Sequence, residues 1–486
     1  MSTETEPREP SLLDCLIPVV LLTGMMGLAV YLFGEDASWG PNQIALTLCA
    51  LVVAAIGLKN GYQWDDIGKG VVQSISQSMG AIFILLAVGA LVGTWVMCGT
   101  VASMIYIGLG LIEPTWFYPS AVIVCALISA SIGSSWTTVG TVGVGLIGIA
   151  NGLGLSEPVA AAAIIGGSYF GDKMSPLSDT TNLAPGVAGT DLYTHIKHML
   201  WTTVPSITVS LVVFTFLGRR AVSSPEAMAL TEQTMANLDA NFNVSWVMLL
   251  PVLVVLILAA RKMPPFPTII IGALVGGVFA VIFQPEHVLE FIDRPELPRG
   301  LALTAGVWTA LFSGFESVTG HPEIDGLLSR GGMSSMLEVI WLVLSALTFG
   351  GAMESTGKLR RLVRGILAGA RSTGSLIAAV ICTGIGINII ASDQYMAIVL
   401  PGRMYQAEFK RRNLAPQNLS RALEDSSTLT SPLIPWNTCG AYMAGTLGVA
   451  TLAYLPYCIF NLLNPVISLV YGFTGVSIVK VEDGGD

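Results

Sequence analysis

Charge is what this chain has least of. Only 11% of its 486 residues are Asp, Glu, Lys or Arg, against 53% hydrophobic residues. A soluble domain of this length carries roughly a quarter charged residues to clothe its surface. Much of the surface must therefore face something other than water. The scarcities go further. Four histidines and seven cysteines occur, with no CxxC spacing, no HExxH and no zinc signature. The cysteines (Cys15, Cys49, Cys98, Cys125, Cys382, Cys439, Cys458) mostly lie in or beside apolar runs and read as small packing residues. His195 and His198, three apart, read as an interfacial pair. No GxxxxGK[ST] and no convincing GxSxG elbow appears, so ATP hydrolysis is not supplied by this chain and no enzyme is expected. No cofactor is expected either. Basic patches with interleaved aromatics are missing, which excludes nucleic acid as a partner.

What is present is a series of apolar runs, at about 12–33, 41–58, 80–112, 117–150, 157–171, 199–217, 245–260, 266–283, 336–352, 374–401 and 432–472. Runs of about 18–22 residues cross a hydrocarbon layer of ~30 Å as a helix. A lipid-facing backbone must satisfy its own hydrogen bonds, so the spans are helices or a closed barrel. The runs are continuous rather than alternating, which excludes the barrel. The expectation is an all-α polytopic membrane protein of the cell membrane, with roughly eleven to thirteen passes, some incomplete. Residues 1–10 are polar and acidic, without a basic n-region or a cleavage site, so Leu12–Phe33 reads as a retained span.

The most polar stretch, Arg219 to Asn243, divides the chain nearly in half and reads as a linker. The organisation expected is a tail (1–11), a first transmembrane repeat (12–218), the linker (219–244), a second repeat (245–475) and a tail (476–486). Matches between the halves support this. Asp172 lies 39 residues after Gly133, and Asp425 lies 39 after Gly386. Ser175-Pro176-Leu177 is echoed by Ser431-Pro432-Leu433, and Ser178-Asp179-Thr180 by Trp436-Asn437-Thr438. Broken, polar segments at matching places in two halves point to a transporter site. By the positive-inside rule Lys59, Arg261-Lys262, Lys358 to Arg371 and Lys410-Arg411-Arg412 face the cytoplasm.

Each acid inside an apolar run is a functional candidate, because a charge there is costly. Asp172 and Asp179 flank Pro176, which interrupts a helix and frees carbonyl groups beside two carboxylates and several hydroxyls. Such hard oxygens suit a small hard cation. The competing reading is a polar loop in which Lys173 pairs with Asp172. Glu424-Asp425-Ser426-Ser427-Thr428, followed by Pro432, Pro435 and Asn437-Thr438, repeats the same make-up. Asp393 is the most isolated acid, with Asn388 nearby; a carboxylate that takes either a proton or a metal ion can perform exchange. Glu354 follows Gly350-Gly351-Ala352-Met353 and serves either transport or a helix end near Lys358.

Tyr169-Phe170-Gly171-Asp172-Lys173-Met174-Ser175-Pro176-Leu177-Ser178-Asp179-Thr180-Thr181-Asn182 closely resembles the first signature of the NhaC-type sodium/proton antiporter family. Ala391-Ser392-Asp393-Gln394-Tyr395-Met396 and Pro432-Leu433-Ile434-Pro435-Trp436-Asn437-Thr438-Cys439-Gly440 resemble its second-half signatures. Ser329-Arg330-Gly331-Gly332-Met333 and Gly350 to Glu354 also look familial. The resemblance implies two inverted repeats with re-entrant hairpins and broken transmembrane helices, a scaffold and a moving transport domain, and a homodimer. It carries ion-site candidacy to Asp172, Ser178, Asp179, Thr180, Asn182, Asp393, Asp425, Asn437 and Thr438. Asp179, Asp393, Asn437 and Thr438 are the expected sodium ligands.

The expected activity is exchange of sodium for protons, serving pH homeostasis, at a buried carboxylate site reached alternately from each side. One alternative is coupled transport of malate, lactate or an amino acid, with Lys173 or Arg403 as the cation that receives a carboxylate. Another is an ion channel.

Overall fold

The computed structural model describes residues 7–34, 37, 40–221, 225–317, 325 and 328–481, leaving out the side chains of 221–230. Parts of the expected tails (1–6 and 482–486), and Ser223-Ser224 of the expected linker, lie outside the described residues. Those described form helices and turns; the only β-pairings among them are two isolated bridges, Phe315 with Arg330 and Leu414 with Lys480. Among the described residues, eight helices are long and apolar enough to cross a membrane, or up to ten if two bent pairs each count as one span. This is fewer than the eleven to thirteen expected. The polar signature segments divide the remaining apolar runs into shorter pieces. The protein is thus an all-α, multi-pass membrane protein.

The order of elements in the first half recurs in the second. Met79–Met97 ends at Gly99 (φ 82°), and Leu337–Ser355 ends at Gly357 (φ 69°), 258 residues later. Phe117–Ile132 and Thr373–Ile390 follow, each stopping at a short turn. The next helices start at Ser135 and at Gln394, capped by the side chains of Ser134 and Asp393. Then come Glu157–Met174 and Pro416–Leu423. After a break in each half, Asp179–Ala188 and Thr438–Leu447 start behind the caps Ser178 and Asn437, 259 residues apart. Both of these are ten residues long and both close on a left-handed glycine, Gly189 and Gly448. The short-motif matches gave a different register: at the offset of 259, Asp172 corresponds to Ser431 and Asp425 to Gly166. Capping geometry, not the identity of the acids, carries the correspondence.

Small residues let these helices approach. A Cβ added at Gly167 would lie 2.3 Å from the Val122 carbonyl oxygen, and one at Gly171 would lie 2.5 Å from that of Ala126. Glu157–Met174 therefore packs backbone to backbone on Phe117–Ile132, as helices do in lipid where burial of apolar surface gives no drive. The segment Gly331-Gly332 does the same against Met79–Met97. Gly332 has φ 85° and its Cβ would lie 2.2 Å from the Gly314 nitrogen, while its own N–H donates to the Gly89 carbonyl at 2.7 Å. Gly332→Ala combines left-handed strain with overpacking and is expected to cost ~2–4 kcal/mol. Thermal melts of the purified protein check this against Gly300→Ala, where nothing lies within 4 Å of the new Cβ.

The polar stretch after Arg220, expected as a linker, is helical over much of its described length. Pro225–Asn241 is a helix, and Thr231 donates to the Gly152 carbonyl at 3.3 Å. Proline at its first position and a run of helix formers explain this. Lys358, expected on the cytoplasmic side, is fully buried and donates to the Val53 carbonyl (3.1 Å) and the Thr356 hydroxyl (2.9 Å). His195 and His198 are buried rather than interfacial, with His195 Nδ1 2.8 Å from the Ser420 hydroxyl.

Candidate functional site

The breaks meet. Gly133, at the first tip, has φ 78°, and a Cβ there would lie 2.9 Å from the Ser178 nitrogen. At the second, the N–H of Thr438 donates to the Ser392 carbonyl at 3.0 Å. Ser392 holds a left-handed φ of 60° despite its side chain, a strain that clusters at functional sites. Four helix starts (Ser135, Asp179, Gln394 and Thr438) thus come to one cavity of about 790 Å³. Ser78 and the Lys262–Pro265 loop line it as well.

Asp172 stands in the last turn of Glu157–Met174, where a helix end disfavours negative charge. It is relieved by its neighbour: its carboxylate accepts from the Ser135 hydroxyl (2.6 Å) and the Ser135 N–H (3.2 Å), at the start of another helix. Asp393 accepts from the Met396 N–H (2.8 Å) and from the Ser78 hydroxyl (3.3 Å). It is the N-cap of Gln394–Arg411, a position that favours a carboxylate. Asp179 and Asn182 are exposed to the cavity; Asn182 donates to the Pro176 and Ser178 carbonyls at 2.9 and 2.7 Å. Ser178 and Thr180 are buried with hydroxyls 3.2 Å apart.

Of the residues singled out from sequence, Asp172, Ser178, Asp179, Thr180, Asn182, Asp393 and Thr438 line the cavity. Three do not. Asp425 is fully buried elsewhere, bound by Lys173 and by the Thr202 hydroxyl (2.9 Å), with Arg421 Nε at 4.0 Å. Lys173 also donates to Asn464 Oδ1 at 2.8 Å. Asp425 is the fixed counter-ion of two buried cations, and Lys173 pairs with it rather than with Asp172. Asn437 is spent on structure: its side chain accepts from the Cys439 N–H (3.0 Å) and donates to Asn388 (3.2 Å). Glu354 is exposed in the last turn of Leu337–Ser355, off the cavity lining.

Sequence reasoning missed Ser134, Trp136, Thr137, Ser78 and Gln394, which line the same cavity, and Ser135, which holds Asp172. Trp136 stacks on Tyr442 with ring centroids 4.1 Å apart, and Tyr442 donates to the Trp136 carbonyl at 2.7 Å, joining the two halves. The signal was there. Gly133-Ser134-Ser135-Trp136-Thr137-Thr138 is a glycine followed by hydroxyls inside an apolar run.

Similarity to other proteins decides the family. A family model described as the Na+/H+ antiporter family matches residues 167–476. The chain belongs to that family. It is 39% identical over 464 residues to the Na+/H+ antiporter NhaC of Alkalihalophilus pseudofirmus, covering 95% of this chain and 96% of that one. Identity to the Na+/H+ antiporter NhaC of Bacillus subtilis is 36% over 431 residues, covering 88% and 92%. The malate-2H+/Na+-lactate antiporter of Bacillus subtilis is 34% identical over 469 residues, covering 96% of each. In this member of the family, the signature segments 169–182, 391–396 and 432–440 each contribute a helix start (Asp179, Gln394 and Thr438) to the one cavity.

Proposed function

We propose that the protein exchanges sodium ions for protons across the cell membrane by alternating access at this cavity. One observation carries the reading. Asp172 and Asp393 are held by hydroxyl and backbone donors, and neither forms a salt bridge among the described residues, whereas Asp425 does. An intramembrane acid with no fixed counter-ion is free to take a mobile one, and each of Na+ and H+ then displaces the other. Thr180, Ser178 and Thr438, with carbonyls freed at the two breaks, supply the remaining hard oxygens. No group of three His, Cys, Asp or Glu side chains suited to a metal occurs among the described residues. Ligation by one carboxylate with hydroxyls and carbonyls suits a monovalent ion that must be released.

In this reading the two halves whose elements recur are inverted repeats, and the protein works as a homodimer. The cavity opens toward the cytoplasm, the side assigned to Arg261-Lys262 by the positive-inside rule.

The test is a sodium pulse to proteoliposomes containing a pH dye and no organic solute. Proton movement that follows the sodium gradient is the expected result. A second reading is favoured by Lys262, a cationic side chain lining the cavity, and by four converging helix starts, whose positive ends suit a carboxylate. It predicts silence until malate or lactate is added.

A further inference from the structure

The connection between Leu337–Ser355 and Thr373–Ile390 is itself a helix, Lys358–Ala368, and it has two unlike faces. At about 100° per residue, Arg360, Arg361 and Arg364 share one side, while Leu359, Leu362 and Val363 share the other. Those apolar residues pack inward, and Ile366 carries their face on into the open, 39% exposed. The depth of the helix is fixed at its start. Gly357 turns the chain at φ 69°, and Lys358 Nζ reaches the Val53 carbonyl at 3.1 Å, in the last two turns of Pro41–Lys59. A Cβ at Gly57 would lie 2.7 Å from the Thr356 side chain. The helix therefore begins level with the ends of two spans, on the side that the positive-inside rule assigns to the cytoplasm. Lipid headgroups lie at that level.

We propose that this helix and the turn after it bind the headgroup of an anionic phospholipid of the cytoplasmic leaflet. Arg360, Arg371 and Lys410 are exposed and Arg361 is half-buried, and none has an ion-pair or hydrogen-bond partner among the described residues. The acids nearby are already engaged. Glu9 binds Arg364 at 2.6 Å, and Glu408 binds Arg411 and Arg412, each at 2.6 Å. Glu354 is the one acid between 354 and 372. Arg412 also donates to the Ala370 and Ser372 carbonyls, which brings Arg371 beside Lys410 and Arg411. The free cations thus run along one side of the connection and onto the base of Gln394–Arg411.

The positive-inside bias explains which side of the membrane these cations occupy. It requires neither a helix nor arginines sorted to one face of it. An arginine fork takes a phosphate through two parallel hydrogen bonds. A soluble anion would satisfy the arginines and leave Ile366 in water, whereas a phospholipid gives its phosphate to the basic side and its chain to the apolar edge. The position gives such binding an effect. The connection leads into the hairpin whose turn holds Asp393, so a bound lipid fastens the base of that hairpin. The inference does not depend on which solutes are exchanged.

The experiment titrates the full chain in neutral detergent with phosphatidylglycerol and, separately, with phosphatidylcholine, recording the melting temperature at each step. The stabilisation is expected to reach its midpoint at a lower concentration of phosphatidylglycerol. Each basic residue at an anionic lipid surface strengthens binding about fivefold. In Arg360→Gln/Arg371→Gln the phosphatidylglycerol midpoint is therefore expected to rise about 25-fold, with the phosphatidylcholine midpoint unmoved. Equal midpoints for the two lipids in the unaltered protein would overturn the proposal, and so would an unmoved phosphatidylglycerol midpoint in the double variant. Inorganic phosphate is expected to have no effect; stabilisation equal to that by phosphatidylglycerol makes this a free-anion site and overturns the lipid assignment. Should the double variant fail to fold, salt decides on the unaltered protein. Loss of the phosphatidylglycerol preference between about 0.1 and about 0.5 M salt supports the proposal, because exposed charges are screened there, and an undiminished preference overturns it.

Discussion

Asp393→Asn is expected to abolish sodium-driven proton movement while leaving the fold intact. Asparagine caps a helix about as well as aspartate, so the Met396 N–H, 2.8 Å from the carboxylate, keeps its acceptor. Asparagine can also accept from the Ser78 hydroxyl, now at 3.3 Å. Only the charge disappears. Removing one member of a buried charge pair costs ~3–5 kcal/mol, on the order of 100-fold or more in occupancy of the ion. The pH dye in proteoliposomes reads the loss, and circular dichroism with a thermal melt reads the fold. Exchange near the parent rate in a normally folded variant would remove Asp393 from the site. The isolation of this acid in its apolar run marked it in the sequence. The structure adds that its negative charge is stabilised by a helix start and a hydroxyl, not by a cation.

Asp425→Asn is expected to have the opposite profile. Lys173, Arg421 and Asp425 are all fully buried, and the substitution leaves Lys173 with the neutral Asn464 as partner. Breaking a buried pair by removing one partner costs ~3–5 kcal/mol because an uncompensated charge stays behind. The folded yield and the melting temperature should fall sharply, while sodium/proton exchange per folded molecule persists. A stable variant that no longer exchanges would return Asp425 to the ion site. The two substitutions together separate a carboxylate that meets the mobile ion from one that holds the scaffold around it.

The Asp425 case also shows where sequence reading ended. Asp172 and Asp425 sit in similar polar runs beside similar prolines, and nothing local tells them apart. Lys173 belongs to the first half and Asp425 to the second, 252 residues on. Which acid a buried lysine reaches is settled by how the halves dock. The same holds for Asn437, whose amide is taken up by Asn388, and for Ser135, whose hydroxyl serves Asp172 across 37 residues.

The sequence by itself determined that the chain is helical and crosses a membrane repeatedly, because low charge and long apolar runs leave no other way to satisfy a backbone in lipid. It also located both helix breaks and named seven of the cavity residues, because proline, glycine and acids inside apolar runs are costly unless the fold uses them. Only the tertiary structure decided which acids are free to meet an ion. That depends on partners far away in the chain: Ser78 for Asp393, Ser135 for Asp172, and Lys173 for Asp425. Local pattern fixes where the backbone must break, whereas the state of a buried charge is set by what packing brings to its side.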